Sequence, residues 1–380
     1  GGGWVLMDFW DFLIIAVRVV LAFVIPLVAV IFIVWGERKI NADMTNRIGP
    51  NRAGPWGILQ TVADGLKLFF KEQVTPRKVE YLMYMAAPII ALIPAFMTFL
   101  VIPWGQGFTF EIGGKVREFA FVGADLNVGV LFFLAMSSVA VYAIILAGWA
   151  SGSKYPLLGG VRGTAQAISY EAAMGLAMVA VVLFASTTSS DGGTLSFVEL
   201  VERQRGTWDE VVSLPSGLAW FENVLGLIPR WNILPQFIAF VIFMIAGVAE
   251  TNRPPFDLVE AEQELVGGLN TDYSGFRFAM FFLAEYTNVF NMSAIAVVLV
   301  LGGWDGPTFD QWLPGLIVTL LPLFWFLLKT ALVVFVFFWI RATWPRFRYD
   351  PVSYTHLRAH ETSRAISYGV FWLKRWGGGG

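Results

Sequence analysis

Of 380 residues, 57% are apolar and only 14% charged, and the mean hydropathy is +0.65; a water-soluble domain carries roughly 25% charged residues, so the chain belongs in a membrane. A net charge of −2 excludes the basic footprint of a nucleic-acid binder. The lack of cysteine excludes disulfides, thiolate metal sites and cysteine-held iron–sulfur clusters, and both histidines, His356 and His360, fall in the C-terminal tail, so the apolar body offers no haem ligand.

Segments long enough to cross a bilayer, about 20 apolar residues each, lie at 10–35, 80–103, 127–150, 164–185, 232–249, 276–301 and 314–340. The expected fold is all-α: a polytopic integral membrane protein of about seven transmembrane helices plus a cytoplasmic amphipathic helix. Residues 4–350 form a single membrane domain, with loops 36–79, 150–163 and 249–277 on one side. The N-terminus has no Lys/Arg-led region with a cleavage site, so no removable signal peptide is expected. Arg18, inside the first span, snorkels or faces protein. No fixed-period repeat is visible. Connecting segments on the side of these loops carry 15 Lys and Arg against 5 on the other, which sets that side in the cytoplasm and the N-terminus outside.

In the first cytoplasmic loop, Gly49-Pro50 and Gly54-Pro55 make rigid turns. After them Ile58, Leu59, Val62, Leu66, Phe69 and Phe70 share one helical face, and Gln60, Asp64, Lys67 and Lys71 another. This pattern describes a basic amphipathic helix along the headgroups, an anchor or a docking surface. Gly148-x-x-x-Gly152 and Gly159-x-x-x-Gly163 flank the second such loop and fit a small-residue packing seam. Within the spans, Glu171, Glu285 and Lys329 stand among apolar neighbours and Glu250 ends its span. A charge at the bilayer centre costs about 2.5–3.5 kcal/mol even on the lenient insertion scale. Burial favours the protonated form of a carboxyl group, so neighbouring acids form either a proton relay or, with Lys329, a structural pair. Tyr170 and Tyr286 adjoin two of these acids but point away from them on a helix. The long outer loop from Ser186 to Trp231, with a surface helix near 195–205, fits a solvated cover.

The most unusual stretch runs from Ala249 to Arg277, with Glu250, Asp257, Glu260, Glu262, Glu264 and Asp272 against only Arg253 and Arg277. Pro254 and Pro255 stop the preceding helix. Asp257 and Glu260 form a capping box that predicts a short helix, with Asp257, Glu260 and Glu264 on one face and Glu262 elsewhere. It is a solvated acidic loop or a proton- or cation-handling site at the membrane surface. There is no Walker A pattern, no dinucleotide-binding glycine motif and no HExxH, so neither nucleotide hydrolysis nor covalent catalysis is indicated.

Long motifs in fixed order carry a resemblance: RIGPNRAGPWGILQTVADGLKLFFKE (47–72), GWASGSKYPLLGGVR (148–162), ISYE (168–171), AETNRPPFDLVEAEQELVGG (249–268), AEY (284–286), LGGW (301–304), LKTA (328–331) and IRATWPRFRYD (340–350). Over about residues 10–350 the chain resembles the family of membrane H subunits of NADH–quinone oxidoreductase, respiratory complex I. The resemblance implies a non-redox subunit of a translocase in the inner (plasma) membrane, inactive as an isolated chain. It would stand with the quinone-site and iron–sulfur subunits of the hydrophilic arm and with small membrane-arm subunits. Quinone is implied as substrate, with no iron–sulfur cluster, flavin or haem in this chain. It implies that Arg38, Arg47, Arg52, Asp64 and Lys67 shape the quinone chamber. Glu171, Glu250, Arg253, Asp257, Glu260, Glu262, Glu264, Glu285 and Lys329 then couple quinone reduction to proton translocation. Family members often place a glutamate in the third span before a Val-Tyr pair; here the stretch reads MSSVAVYA, with Ser138 and Ala140. After Asp350 the family's last spanning helix is replaced by a polar tail, 351–380, expected to be a truncated or artefactual end. Rival readings are a sister membrane subunit from a membrane-bound hydrogenase or non-NADH dehydrogenase, and a stand-alone proton-coupled transporter.

Overall fold

The computed structural model describes residues 8–113, 115–187, 193–208, 229–260, 262–307 and 315–347, so the tail after 350 lies outside the described residues. In chain order the elements are α1 (Phe9–Met44), α2 (Gln60–Phe70), α3 (Tyr81–Val101), β1 (Phe108–Ile112), β2 (Lys115–Phe119), α4 (Gly129–Ala150), α5 (Lys154–Thr187), α6 (Phe197–Glu202), α7 (Phe237–Glu250), α8 (Glu262–Leu265), α9 (Gly275–Val300) and α10 (Gly315–Thr343). Six of these helices are long and apolar enough to cross a membrane and α7 adds a shorter apolar one, so the chain is a polytopic, essentially all-α membrane protein. The central helix is α9, buried on nearly all sides from Val289 to Val300. A helix apolar all round belongs in the middle of a bundle.

The helices overrun the apolar segments. α1 continues to Met44, so 36–44 is helix rather than loop, and α5 begins at Lys154, so most of 150–163 is its first turns. Hydropathy marks where lipid contact stops, whereas the backbone ladder continues through polar residues that have protein partners. The connection between α4 and α5 shrinks to a turn at Ser151–Ser153, with Gly152 at φ 65° and its Cα facing the Lys78 carbonyl. The shorter α7 has 14 residues, about 21 Å at 1.5 Å per residue, less than a hydrocarbon core of about 30 Å. Non-helical backbone precedes it, and such backbone at membrane depth needs protein partners. Gln204 supplies them: its amide donates to the Leu200 and Val298 carbonyls and its oxygen accepts from the Asn232 and Gly302 N–H groups.

Two segments on the side opposite the acidic loop are structured. The segment after α3 holds an antiparallel hairpin, β1–β2, with Phe108 opposite Phe119 and Phe110 opposite Arg117. Arg117 is buried and ion-pairs with Asp8 and Asp11 at the start of α1, which ties the hairpin to the first helix. The segment from Ser196 is no mere solvated cover, because Phe197, Leu200 and Val201 of α6 are buried in the core. Arg18 faces protein, donating to the Val122 carbonyl at 3.0 and 2.8 Å.

The glycines at the start of α5 position the acidic loop. Gly148 and Gly160 face one another where α4 and α5 meet, while Gly159 and Gly163 receive the loop at Val259. A Cβ on Gly159 would stand 2.6 Å from the Val259 carbonyl oxygen, and one on Gly163 2.3 Å from a Val259 methyl. Gly159→Ala is therefore expected to cost about 1–3 kcal/mol by overpacking. Hydrogen exchange should quicken in 251–274 while α9 stays protected; unchanged exchange in that loop would remove the seam's positioning role.

Candidate functional site

The site begins with how α7 ends. Asn252 takes the left-handed conformation at φ 50°, the Asn252 N–H bonds the Ala249 carbonyl at 3.2 Å and the Arg253 N–H bonds the Val248 carbonyl at 3.3 Å. This is a Schellman cap. The cap ends the helix before Pro254 and Pro255 are reached, which corrects the expectation that the prolines stop it. The turn also sends Arg253 back into the bundle, where it is 5% exposed.

Arg253 joins three elements. Its Nη1 donates to both carboxylate oxygens of Glu37 on α1 at 3.2 Å, and its Nε ion-pairs with Glu285 on α9 at 2.8 Å. Nη1 also donates to Tyr286 Oη at 3.4 Å, and the guanidinium carbon lies 4.1 Å from that ring's centroid. Arg341 of α10 ion-pairs with the same Glu37. Burial works against the charge on Arg253, but Glu285, Tyr286 and Glu260 outweigh it and hold its pKa above the ordinary arginine value. Two arginines thus face two glutamates, the composition that a buried charge requires.

Beside this cluster lies a small cavity of about 90 Å³, lined among others by Glu250, Glu260, Glu285, Asn270 and Asn288. It is polar enough and large enough to hold water. Glu250 Oε1 accepts from Ser137 Oγ at 2.6 Å, and Glu171 accepts from Ser138 Oγ. Glu260 accepts from Asn270, and Glu264 ion-pairs with Arg162 of α5 at 2.7 Å.

The acidic loop departs from its expected shape. Asp257 does accept from the Glu260 N–H at 3.4 Å, but helix α8 starts only at Glu262 and spans 4 residues. Glu260 and Glu264 therefore turn to different partners and share no helical face with Asp257. Separate partners relieve the repulsion that one face would have imposed. The side chain of Glu262 lies outside the described residues.

Two larger cavities adjoin. One of about 800 Å³ lies between α1, α2 and α9, walled by apolar groups such as Val34, Leu66, Phe69 and Phe276, with Arg38, Asp64 and Lys67 also in its lining. Thus α2 turns apolar residues toward a cavity, not only toward a membrane surface. Arg38 and Asp64 ion-pair at 2.5 Å and join α1 to α2. The other, of about 490 Å³, is polar, lined by Glu37, Arg38, Asn41, Arg47, Tyr286 and Arg341 among others. The two share Arg38 and Phe282, and Phe282 also lines the small acidic cavity. One ring stands where all three meet.

Some predicted site residues stay apart. Arg52 lines none of these three cavities. Lys329 neither pairs with an acid of the cluster nor lies near it: its Nζ donates to the carbonyls of Leu301, Gly303 and Asp305 beyond the far end of α9, 4.2 Å from the Trp231 ring centroid. Leu301 is 16 residues along from Glu285, about 24 Å of helix. A cation there satisfies the open carbonyls of a helix C-terminus.

Sequence pattern gives no reason to single out Glu37 and Arg341, because both sit at the polar ends of spans, where charge is ordinary. Tyr286, next to Glu285 in the chain, meets the same Arg253 guanidinium, at Nη1 where Glu285 meets Nε.

The profile of the family described as NADH dehydrogenase matches residues 17–358. The chain is 42% identical over 348 residues to one of the H subunits of NADH-quinone oxidoreductase from Geobacter metallireducens, with 89% of each covered. It is 41% identical over 367 residues to the H subunit of NADH-quinone oxidoreductase from Paramagnetospirillum magneticum, with 96% of this chain and 91% of the relative covered. To that of Streptomyces avermitilis it is 43% identical over 338 residues, with 89% and 68% covered.

Proposed function

This chain belongs to the NADH dehydrogenase family, and from that premise we propose that it serves as the membrane H subunit of a proton-translocating NADH–quinone oxidoreductase, respiratory complex I. The apolar cavity between α1, α2 and α9 takes the quinone, and the buried acids couple its reduction to proton movement. The observation that carries this reading is the meeting of three cavities at Phe282, which sets an apolar chamber beside Glu37, Glu285 and Glu250.

Reduction of a quinone to a quinol consumes two electrons and two protons. Electrons come from partner subunits of the complex, since no cysteine is present here to hold a cluster. Arg38, Asp64 and Lys67 present charge to the quinone side, and Arg38 opens onto both larger cavities. A charge change there reaches Glu37 and Arg253 directly. At an effective dielectric of about 20, two charges about 4 Å apart interact by roughly 4 kcal/mol, enough to move a proton between neighbouring acids. Glu285, Glu260, Glu250 and Glu171 continue the path, with Asp257, Glu262 and Glu264 as the loop that senses the chamber. Lys329 belongs to the scaffold. We place the chain in the inner membrane with the acidic loop in the cytoplasm, among the quinone-site and iron–sulfur subunits of the hydrophilic arm.

Ala279→Trp would fill the apolar cavity, whose lining includes Ala279. Quinone reduction by the assembled complex should fall at least about tenfold, the equivalent of roughly 1.4 kcal/mol, while native gels show normal assembly. Undiminished turnover with a long-tailed quinone would mean that this cavity is not the quinone's path.

A further inference from the structure

Ser137 and Ser138 are neighbours on α4 and point about 100° apart around it. Each reaches an acid on a different helix. Ser137 Oγ donates to Glu250 Oε1 at the end of α7, and Ser138 Oγ donates to Glu171 Oε1 within α5. Ala140, Val141 and Ile144 of the same helix line the small cavity that Glu250 faces. One strut thus touches both acids and the water-sized space beside one of them.

The local bonding suits a group that changes protonation. Ser138 Oγ also lies 3.1 Å from the Leu134 carbonyl oxygen. A hydroxyl has one proton to give and lone pairs to accept. While Glu171 is ionised, the serine proton goes to its carboxylate. Once Glu171 is protonated, its own O–H donates to Ser138 Oγ and the serine proton turns to Leu134. Both states are satisfied by rotating one hydrogen. At Glu250, Ser137 holds Oε1, while Oε2 is buried with no hydrogen-bond partner among the described residues. That second oxygen is the one left without a hydroxyl to hold it and free to carry a proton.

We propose that Ser137 and Ser138 are positioning residues of the proton path, a hydroxyl pair on α4 that fixes one oxygen each of Glu250 and Glu171 and serves either acid in both protonation states. The proposal rests on the reading of these acids as a path. The chemistry is proton transfer alone: an O–H bond breaks on one carboxyl group and forms on the next acceptor, with no oxidant or reductant involved. MSSVAVYA thereby supplies hydroxyls on the helix where no carboxylate stands.

The test uses the assembled complex in liposomes. Ser138→Ala and Ser137→Ala should each slow proton translocation about tenfold, as loss of one hydrogen bond to a charged group implies. Each should also shift a carboxylic C=O band in the infrared difference spectrum between oxidised and quinol-reduced complex. Ser138→Thr, which keeps the hydroxyl, should restore both; Ser138→Cys, similar in size but a weak donor, should behave as alanine does. If Ser137→Ala does not assemble, the Ser138 series decides. Parent translocation rates and an unshifted band in the Ser138→Ala and Ser138→Cys complexes would overturn the inference. Glu250→Gln and Glu171→Gln measured alongside separate the two levels: if they abolish pumping while the serine variants do not, only the serine role falls. If they too pump normally, the path itself is wrong.

Discussion

Arg253→Leu is expected to be the most damaging single substitution in this chain. It removes the cation that stands between Glu37 on α1 and Glu285 on α9. Glu37 keeps Arg341, but Glu285 loses its one guanidinium partner among the described residues while it remains within the bundle. Breaking a fully buried pair by removing one partner typically costs about 3–5 kcal/mol. Glu285 is 27% exposed at its side chain and keeps some access to water, so a cost at or below the low end, about 2–3 kcal/mol, is expected. That is a large part of the stability of a typical domain. The expected outcome is a fall in the amount of this chain found in the assembled complex, with a lowered melting temperature for what remains. Arg253→Leu combined with Glu285→Gln removes the stranded charge together with its partner. The double variant should recover part of the lost stability, a coupling of about 0.5–3 kcal/mol in the mutant cycle. Strictly additive effects would show that the 2.8 Å contact between Arg253 and Glu285 carries no energy.

Glu285→Gln alone tests chemistry more than stability. Glutamine keeps the shape of the side chain and can still accept from Arg253, but it cannot carry a proton. Glu285 lines the small acidic cavity and adjoins the Arg253 cluster, so in the proposed path it is the acid that links the two. In the assembled complex, proton translocation should slow by about 10²-fold, the lower range for loss of a positioned proton-transfer group. Quinone reduction should slow with it if the two processes are obligatorily coupled, or continue without pumping if they are not. Proteoliposomes energised with NADH report both rates at once. Parent rates for both would remove Glu285 from the mechanism.

Legibility in the sequence varies from element to element. The spans, the amphipathic α2 and the concentration of acids after α7 all follow from local pattern, since hydropathy and period act over a few residues. The helical reading of Asp257, Glu260 and Glu264 fails for a definite reason. A capping pair predicts where a helix starts, but the Val259 carbonyl, received against Gly159 of α5, accepts from the Leu269 N–H instead of from a helical turn, and the short helix spans Glu262–Leu265. A charge in a span calls for a partner, which argues for setting Lys329 with the acids; backbone carbonyls at the end of α9 provide three partners instead.

Residue order alone is enough to declare an essentially all-helical membrane protein and the loop in which its carboxylates are concentrated. Who meets whom is settled by packing. Glu37 and Arg253 are 216 residues apart in the chain, and Ser137 and Glu250 are 113 apart. No local rule reports such pairs, because they depend on how helices lean on one another, on the close approach that glycine permits, and on the high cost of leaving a charge unpaired away from water. Those forces act across the whole bundle, and they gather a glutamate from α1, an arginine from a loop and an acid from α9 beside one phenylalanine ring.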